Sequence, residues 1–358
     1  MSSRNAILVI GVVVLTGCAG TSTHMSDHLE HSVQVDPDTG WHIHQLHAGV
    51  GTKRTLSVAI APEAGANAYS LTINGLELLR QPPSLKKLPG GPYGNPILYP
   101  TPNRVRDGRF TFEGRVFHFP INLGGHHIHG LVRSIPWTAG EPRIEDGQVL
   151  LPLSLEITQA HPIYKHFPYT HRIEIVYGLG KEGMRIEIKI ENRDKRRLPF
   201  GLGFHPFFRI LGERAETSIM VPARRHMDAD ESLLPSGKLR DLDGVNEDLR
   251  RPVSLDNLAL DDVYWGMDPK RPSRYEVADP AIRMILEASK LFTHMVVYTP
   301  PGQDFFCMEN QTCSTDAHNL HAASEVEAAH LLILDPVGSP GATATGSLFY
   351  RIELLEDL

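Results

Sequence analysis

Three stretches of this 358-residue chain set proton-carrying or hydrogen-bonding side chains among apolar ones. In "VVYTPPGQDFFCMENQTCSTDAHNL", Glu309 follows the apolar run Phe305, Phe306, Cys307 and Met308. A carboxylate at the end of an apolar strand is costly unless it is paired or functional. Burial raises its pKa toward the range useful to a general base; the competing reading is a paired surface glutamate. In "LPFGLGFHPFFRI", His205 sits among Phe204, Phe207 and Phe208, and Gly201 and Gly203 allow close backbone approach. With an ordinary pKa of about 6.5, imidazole is the natural proton donor near neutrality; the alternative is a buried structural ring. In "GNPILYPTPNRVRDGRF", Asn103 and Arg104 follow an apolar run. A guanidinium there holds sugar hydroxyls with a planar donor fork, or makes a surface salt bridge.

A fourth stretch, "GGHHIHGLVRSIPW", places His126, His127 and His129 within four positions. Zinc wants about three protein ligands in tetrahedral geometry. On a strand His127 and His129 point the same way, and His161 or His166 would have to complete the set. No Cys or Glu stands at ligand spacing, so no metal is expected. His129, followed by Gly130, suits a sugar hydroxyl better, and His126 and His127 are expected to be local loop structure.

These residues need strands to hold them. In "MRIEIKIENR" Met184, Ile186, Ile188 and Ile190 alternate with polar residues, and "QVLLPLSLEIT" behaves alike. Period two means a strand with one buried face. "HRIEIVYGLGKEGMRIEIKIENR" reads as a hairpin turning between Gly178 and Gly183, and Asn74-Gly75 marks another. "HAASEVEAAHLL" holds a helical turn or two, but helices joining parallel strands are missing. The expectation is an all-β, large antiparallel sandwich in one domain over residues 41–358. Loops run over 82–96 and 224–255, the latter without a readable motif. Cys307 and Cys313 are expected to be free, because two cysteines are no disulfide framework.

The chain opens with Arg4, an apolar run from Ala6 to Leu15, and Leu15-Thr16-Gly17-Cys18. The run is shorter than the roughly 20 residues of a membrane-spanning helix and reads as an export signal over residues 1–17. Its end resembles the bacterial lipobox. That resemblance implies a lipid on Cys18, and Ala19 favours the outer membrane, facing the periplasm. Residues 18–40 are polar and read as a flexible tether with solvated His24, His28 and His31. Net charge is -7 with no basic stripe, which excludes nucleic acid as a partner. Membrane contact is expected through the lipid only.

In this order, "NR", "HGL...W", "GFHPFF", "LDDVY" and "CMENQT...DAHN" resemble the aldose 1-epimerase (galactose mutarotase) family over nearly the whole mature chain. The resemblance implies a β-supersandwich with an open cleft and a small-molecule sugar as substrate. It implies that Glu309 takes the anomeric proton and that His205 protonates the ring oxygen, the two facing each other across one sugar ring. His129, Arg104 and Asn103 would bind hydroxyls, as would Asp261 or its neighbour Asp262. No cofactor is implied. The pattern departs from the family at Phe208-Arg209, where an arginine suits an acidic or phosphorylated sugar or points outward. Two rivals stand beside this reading: a non-catalytic carbohydrate-binding envelope protein, and a hexose-6-phosphate 1-epimerase.

Overall fold

A computed structural model describes residues 28–245 and 247–355; the export signal, Cys18 and His24 lie outside the described residues. The alternating segments become the centre of a ten-stranded antiparallel sheet. There Gln148–Ile157, His171–Gly180, Gly183–Asn192 and Thr343–Leu354 lie side by side. Met184, Ile186, Ile188 and Ile190 are buried, as their spacing demands. The hairpin turns on Lys181-Glu182 alone, since pairing continues to Gly180 and Gly183. Asn74 and Gly75 both take positive φ, the conformation a tight two-residue turn requires.

The inner face of this sheet packs on an eight-stranded sheet. Phe208 and Phe306 of the smaller sheet meet Tyr275 of the larger at 4.9 and 5.1 Å between ring centres. The expected antiparallel sandwich is therefore found. Helix is confined to Ala317–Ala322 and Val326–Ala329 among the α-helices of the described residues, within the "HAASEVEAAHLL" region and just before it. None is long and apolar enough to cross a membrane. Segment 224–255 is less of a loop than its sequence suggests, because Arg225–Ala229 and Pro235–Asp241 pair within it.

One boundary differs. Glu30–Val35 forms an edge strand on His42–Ala48 in a third, five-stranded sheet, so the ordered chain reaches into the segment read as tether. His31 is buried there, its Nε2 3.1 Å from Nδ1 of His44. An edge strand buries little, so "EHSVQV" carries almost no apolar period. His28 is exposed, as expected.

Two irregular segments cross the open face of the eight-stranded sheet, and backbone contacts fix both. Asp316 donates its N–H to Arg104 O (2.8 Å) and accepts from Arg106 N (3.0 Å) and Asn319 Nδ2 (2.7 Å). The "DAHN" residues thus buckle the Asn103-Arg104 segment in place. In the other segment His129 has φ 66° and Gly130 φ 65°. A Cβ on Gly130 would lie 2.3 Å from Tyr99 O, a carbonyl already accepting from Leu131 N at 2.7 Å. Only glycine allows that approach. Gly130→Ala is expected to destabilise the fold by about 1–3 kcal/mol, read as a lower denaturant midpoint with an unchanged slope.

Candidate active site

The strand Phe305–Gln311 carries the chemistry. Phe306 and Met308 enter the core while Cys307, Glu309 and Gln311 face the other way, as alternation requires. Its neighbour pairs Gly203 with Gln311 and Phe207 with Cys307. Counting inward from both pairs sets His205 opposite Glu309. Their side chains meet with His205 Nε2 3.2 Å from Glu309 Oε1, both nearly inaccessible to solvent. Gly203 permits this closeness, since a Cβ there would lie 2.9 Å from Pro102 and 3.0 Å from Gln311.

Each partner is held. Gln311 Nε2 donates to Glu309 Oε2 at 2.9 Å, which leaves Oε1 for the imidazole. The His205 ring stacks on Phe207, with centres 4.3 Å apart and planes 15° apart, and its Nδ1 has no partner among the described residues. Burial pushes the Glu309 carboxyl well above its ordinary range, and nearby Asp261 adds to the shift. Burial, with Arg133 close by, pushes His205 down to about 3. Both shifts have one cause: charge is expensive out of water. The raised carboxyl and the lowered imidazole leave a pH window in which the pair holds one proton, either as acid and neutral imidazole or as carboxylate and imidazolium.

Next to this pair opens a cleft of about 470 Å³, which Asn103, Arg104, His129 and Asp261 also line. The His129 ring stands edge-on to His205, with centres 4.9 Å apart. Its Nδ1 lies 3.0 Å from a guanidinium nitrogen of Arg133. Because that contact makes Nδ1 an acceptor, the ring proton sits on Nε2, and burial keeps the ring neutral. Arg104 reaches Asp261 at 3.4 Å and contacts Asn103 Oδ1 with its own N–H at 2.7 Å.

The choice between Asp261 and Asp262 follows from register. Asp261 pairs with Tyr298, which pairs with Cys307, so Asp261 shares the face of Glu309. Asp262 points to the opposite face, where His226 Nε2 lies 2.7 Å from its carboxylate. Burial raises the Asp261 carboxyl, against the pull of Arg104. Arg209 does not line the cleft; it is exposed and bonds the backbone of Glu77 at 3.5 Å. Two positions past Phe207, it shares that residue's face of the sheet, but its side chain runs beyond the cleft to the Glu77 carbonyl.

The remaining histidines serve local structure. His127 Nδ1 contacts Pro120 O at 2.7 Å, His126 Nδ1 accepts from Asp107 N, His161 caps a turn at Ile163 N, and His166 contacts His118 O. They do not gather into a ligand set. His205, Cys307 and Glu309 do bring ligand-type atoms within 4.8 Å of one another. An ion there would have to displace the shared proton and ionise Cys307, a free buried thiol that burial pushes well up. Cys313 is also free. A larger hollow of about 820 Å³ on the outer face of the ten-stranded sheet is lined by mutually paired charges such as Arg172 and Glu174, 2.7 Å apart, and holds no comparable acid and base.

Two site residues escape a reading of the sequence. Arg133, four positions past His129, orients that ring; its spacing was visible, but nothing in it marks the contact. Gln311 resembles any polar strand residue until the register puts it beside Glu309. The implied placement of acid and base across a whole sugar ring is also corrected: adjacent strand positions bring them into direct contact.

The family model described as aldose 1-epimerase matches residues 51–330. Galactose mutarotases from Rattus norvegicus and Sus scrofa are 24% and 25% identical over 169 residues, 46% of this chain. The chain spans about half the length of these curated relatives, 47% in each case. An uncharacterized protein of Escherichia coli K12, YihR, is 28% identical over 71% of this chain and 80% of its own. The fold is that of a galactose mutarotase-like protein from Clostridium acetobutylicum, with TM-score 0.81 at 21% identity over 92% of this chain and 99% of the other. With a matching model across most of its length, the chain belongs to the aldose 1-epimerase family.

Proposed function

We propose that this protein is an aldose 1-epimerase, interconverting the α and β anomers of a free aldose. The contact of His205 with Glu309 beside a polar cleft carries this reading. In an aldopyranose the anomeric oxygen and the ring oxygen are bonded to the same carbon. A base for one and an acid for the other must therefore stand side by side. The names of the relatives, galactose mutarotase among them, point the same way.

The proton inventory balances. With the pair as carboxylate and imidazolium, Glu309 takes the proton of the anomeric hydroxyl and His205 gives one to the ring oxygen. The bond between C1 and the ring oxygen breaks and an aldehyde forms. The pair is left as carboxylic acid and neutral imidazole, with the same proton count. Rotation about the bond between C1 and C2 exposes the other carbonyl face. Closure runs the transfers backwards and restores the pair. Burial stabilises the uncharged arrangement, and attraction at 3.2 Å stabilises the charged one. Neutral His129 offers Nε2–H to the sugar, and Arg104 and Asp261 hold hydroxyls.

Polarimetry of freshly dissolved α-glucose and α-galactose tests this. Glu309→Gln and His205→Asn should each lower kcat by about 10²- to 10⁴-fold while the β-sheet circular dichroism is kept. A wild type that binds sugar yet never exceeds the spontaneous rate would instead mark a binding protein. The pH profile should be flat between the two titrations of the pair. Activity should fall at the alkaline side when the pair loses its one proton, above the ordinary carboxylate range. It should fall at the acid side when the pair gains a second, below the imidazole value of about 6.5.

We also propose that a lipid on Cys18 ties the protein to the cell envelope, on the strength of the short apolar run that ends in Leu15-Thr16-Gly17-Cys18. Metabolic labelling with an alkynyl fatty acid should mark the wild type, and Cys18→Ala should be unlabelled and released from the membrane fraction.

A further inference from the structure

The cleft is electrically lopsided. On one side Asp261 neutralises Arg104 at 3.4 Å. On the other, two guanidiniums converge on a single stretch of backbone. Arg133 donates to Gly91 O at 3.1 Å, and Arg80 donates to Pro92 O, the next carbonyl, at 3.4 Å. Both arginines line the cleft.

Their charges are poorly compensated. The two partners of Arg133, the His129 ring and the Gly91 carbonyl, are neutral, and its buried Nε has no partner among the described residues. Arg80 pairs with Asp304 at 3.1 Å, but Asp304 is 70% exposed, and a bridge so open to water is weak. The faces of Phe305 and Tyr93 hold the Arg80 guanidinium at 4.6 and 5.2 Å, so it does not sweep freely. A neutral sugar needs hydrogen-bond donors but no such excess of positive charge.

We propose that Arg80 and Arg133 form an anion subsite and that the aldose turned over carries a carboxylate, as a hexuronate does. Counting Asp304 against Arg80, one positive charge is left over. One carboxylate balances it, whereas a phosphate brings nearly two negative charges. The far end, where Arg104 and Asp261 cancel, offers an anion no net positive charge, so the two ends of the cleft fix the direction in which the sugar lies. The ring-opening chemistry at C1 is unchanged, because the carboxylate is remote from it. The inference rests on the epimerase reading for turnover, but not for binding.

The test compares glucose, glucuronate and glucose 6-phosphate on the full chain by anomeric-exchange NMR, with saturation binding measured beside it. Glucuronate should exceed glucose in kcat/KM by about tenfold or more at low salt, and the advantage should shrink as salt screens the arginines. Arg80→Gln should remove most of that advantage by lowering kcat/KM for glucuronate far more than for glucose. Arg80→Lys, which keeps charge without the fork, should retain part of it. Equal rates for glucose and glucuronate overturn the proposal. So does a preference for glucose 6-phosphate, or an equal loss on both sugars in Arg80→Gln and Arg80→Lys. If no sugar is turned over, the epimerase reading fails, and binding still decides: glucuronate held more tightly than glucose supports the subsite, and equal binding sinks it.

Discussion

Everything at this site depends on one strand register. Pairing Gly203 with Gln311 and Phe207 with Cys307 brings His205 and Glu309 together. A slip of one residue would turn Glu309 into the core and Met308 into the cleft, because side chains alternate faces. The hydrophobic effect prevents that slip. Phe306 and Met308 belong to the main core, and Phe306 touches Tyr275 across the sandwich. The apolar residues thus do more than stabilise the fold: they fix which face the carboxylate occupies, and so whether it has an acid beside it.

The same burial that fixes geometry sets the chemistry. In water a carboxylate and an imidazole titrate independently, near their ordinary values. Out of water each resists charge, and their separation makes one proton common property. Gln311 stabilises the carboxylate, Asp261 opposes it, and Arg133 favours it while opposing the imidazolium. These influences pull in both directions. Neither protonation state of the pair is therefore set by burial alone.

The sequence made the fold class, the two residues that meet beside the cleft, His205 and Glu309, and most of the cleft wall legible, for separable reasons. Period-two alternation in residues 183–192 reports a physical fact about one strand, and it needs no partner to be read. Glu309 and His205 stood out because polar groups amid phenylalanines are energetically odd. Asp261 against Asp262 was not decidable, since each is equally polar and only the partner strand says which face is the cleft. Arg209 was misleading for another reason: its type suggested an anion and its parity with Phe207 puts it on the cleft side, but its side chain bonds the Glu77 carbonyl beyond the cleft. Arg80 gave no sign at all, because its place at the cleft is made by contacts with Tyr93 and Phe305, and Phe305 lies 225 positions further on. The edge strand Glu30–Val35 escaped because an edge buries too little to leave a pattern.

A division of labour follows from where each group sits. Glu309 sits on a ladder strand of the eight-stranded sheet, and His205 sits in the two-residue gap between Gly203–Phe204 and Phe207–Arg209, so paired backbone brackets both, and the proposed proton transfer requires that closeness. The other polar groups lining the cleft come largely from irregular segments: His129 beside Gly130, Arg104 under Asp316, and Arg133 with Arg80 around Gly91 and Pro92. Irregular backbone tolerates change at its tips because few ladder bonds depend on it. The register of the sheet therefore constrains the reaction type tightly, while the charge displayed around the cleft can vary with little cost to the fold. Substrate preference in such a molecule is written in the segments whose sequences carry the least periodicity, and a reading built on strand patterns finds the reaction before it finds the sugar.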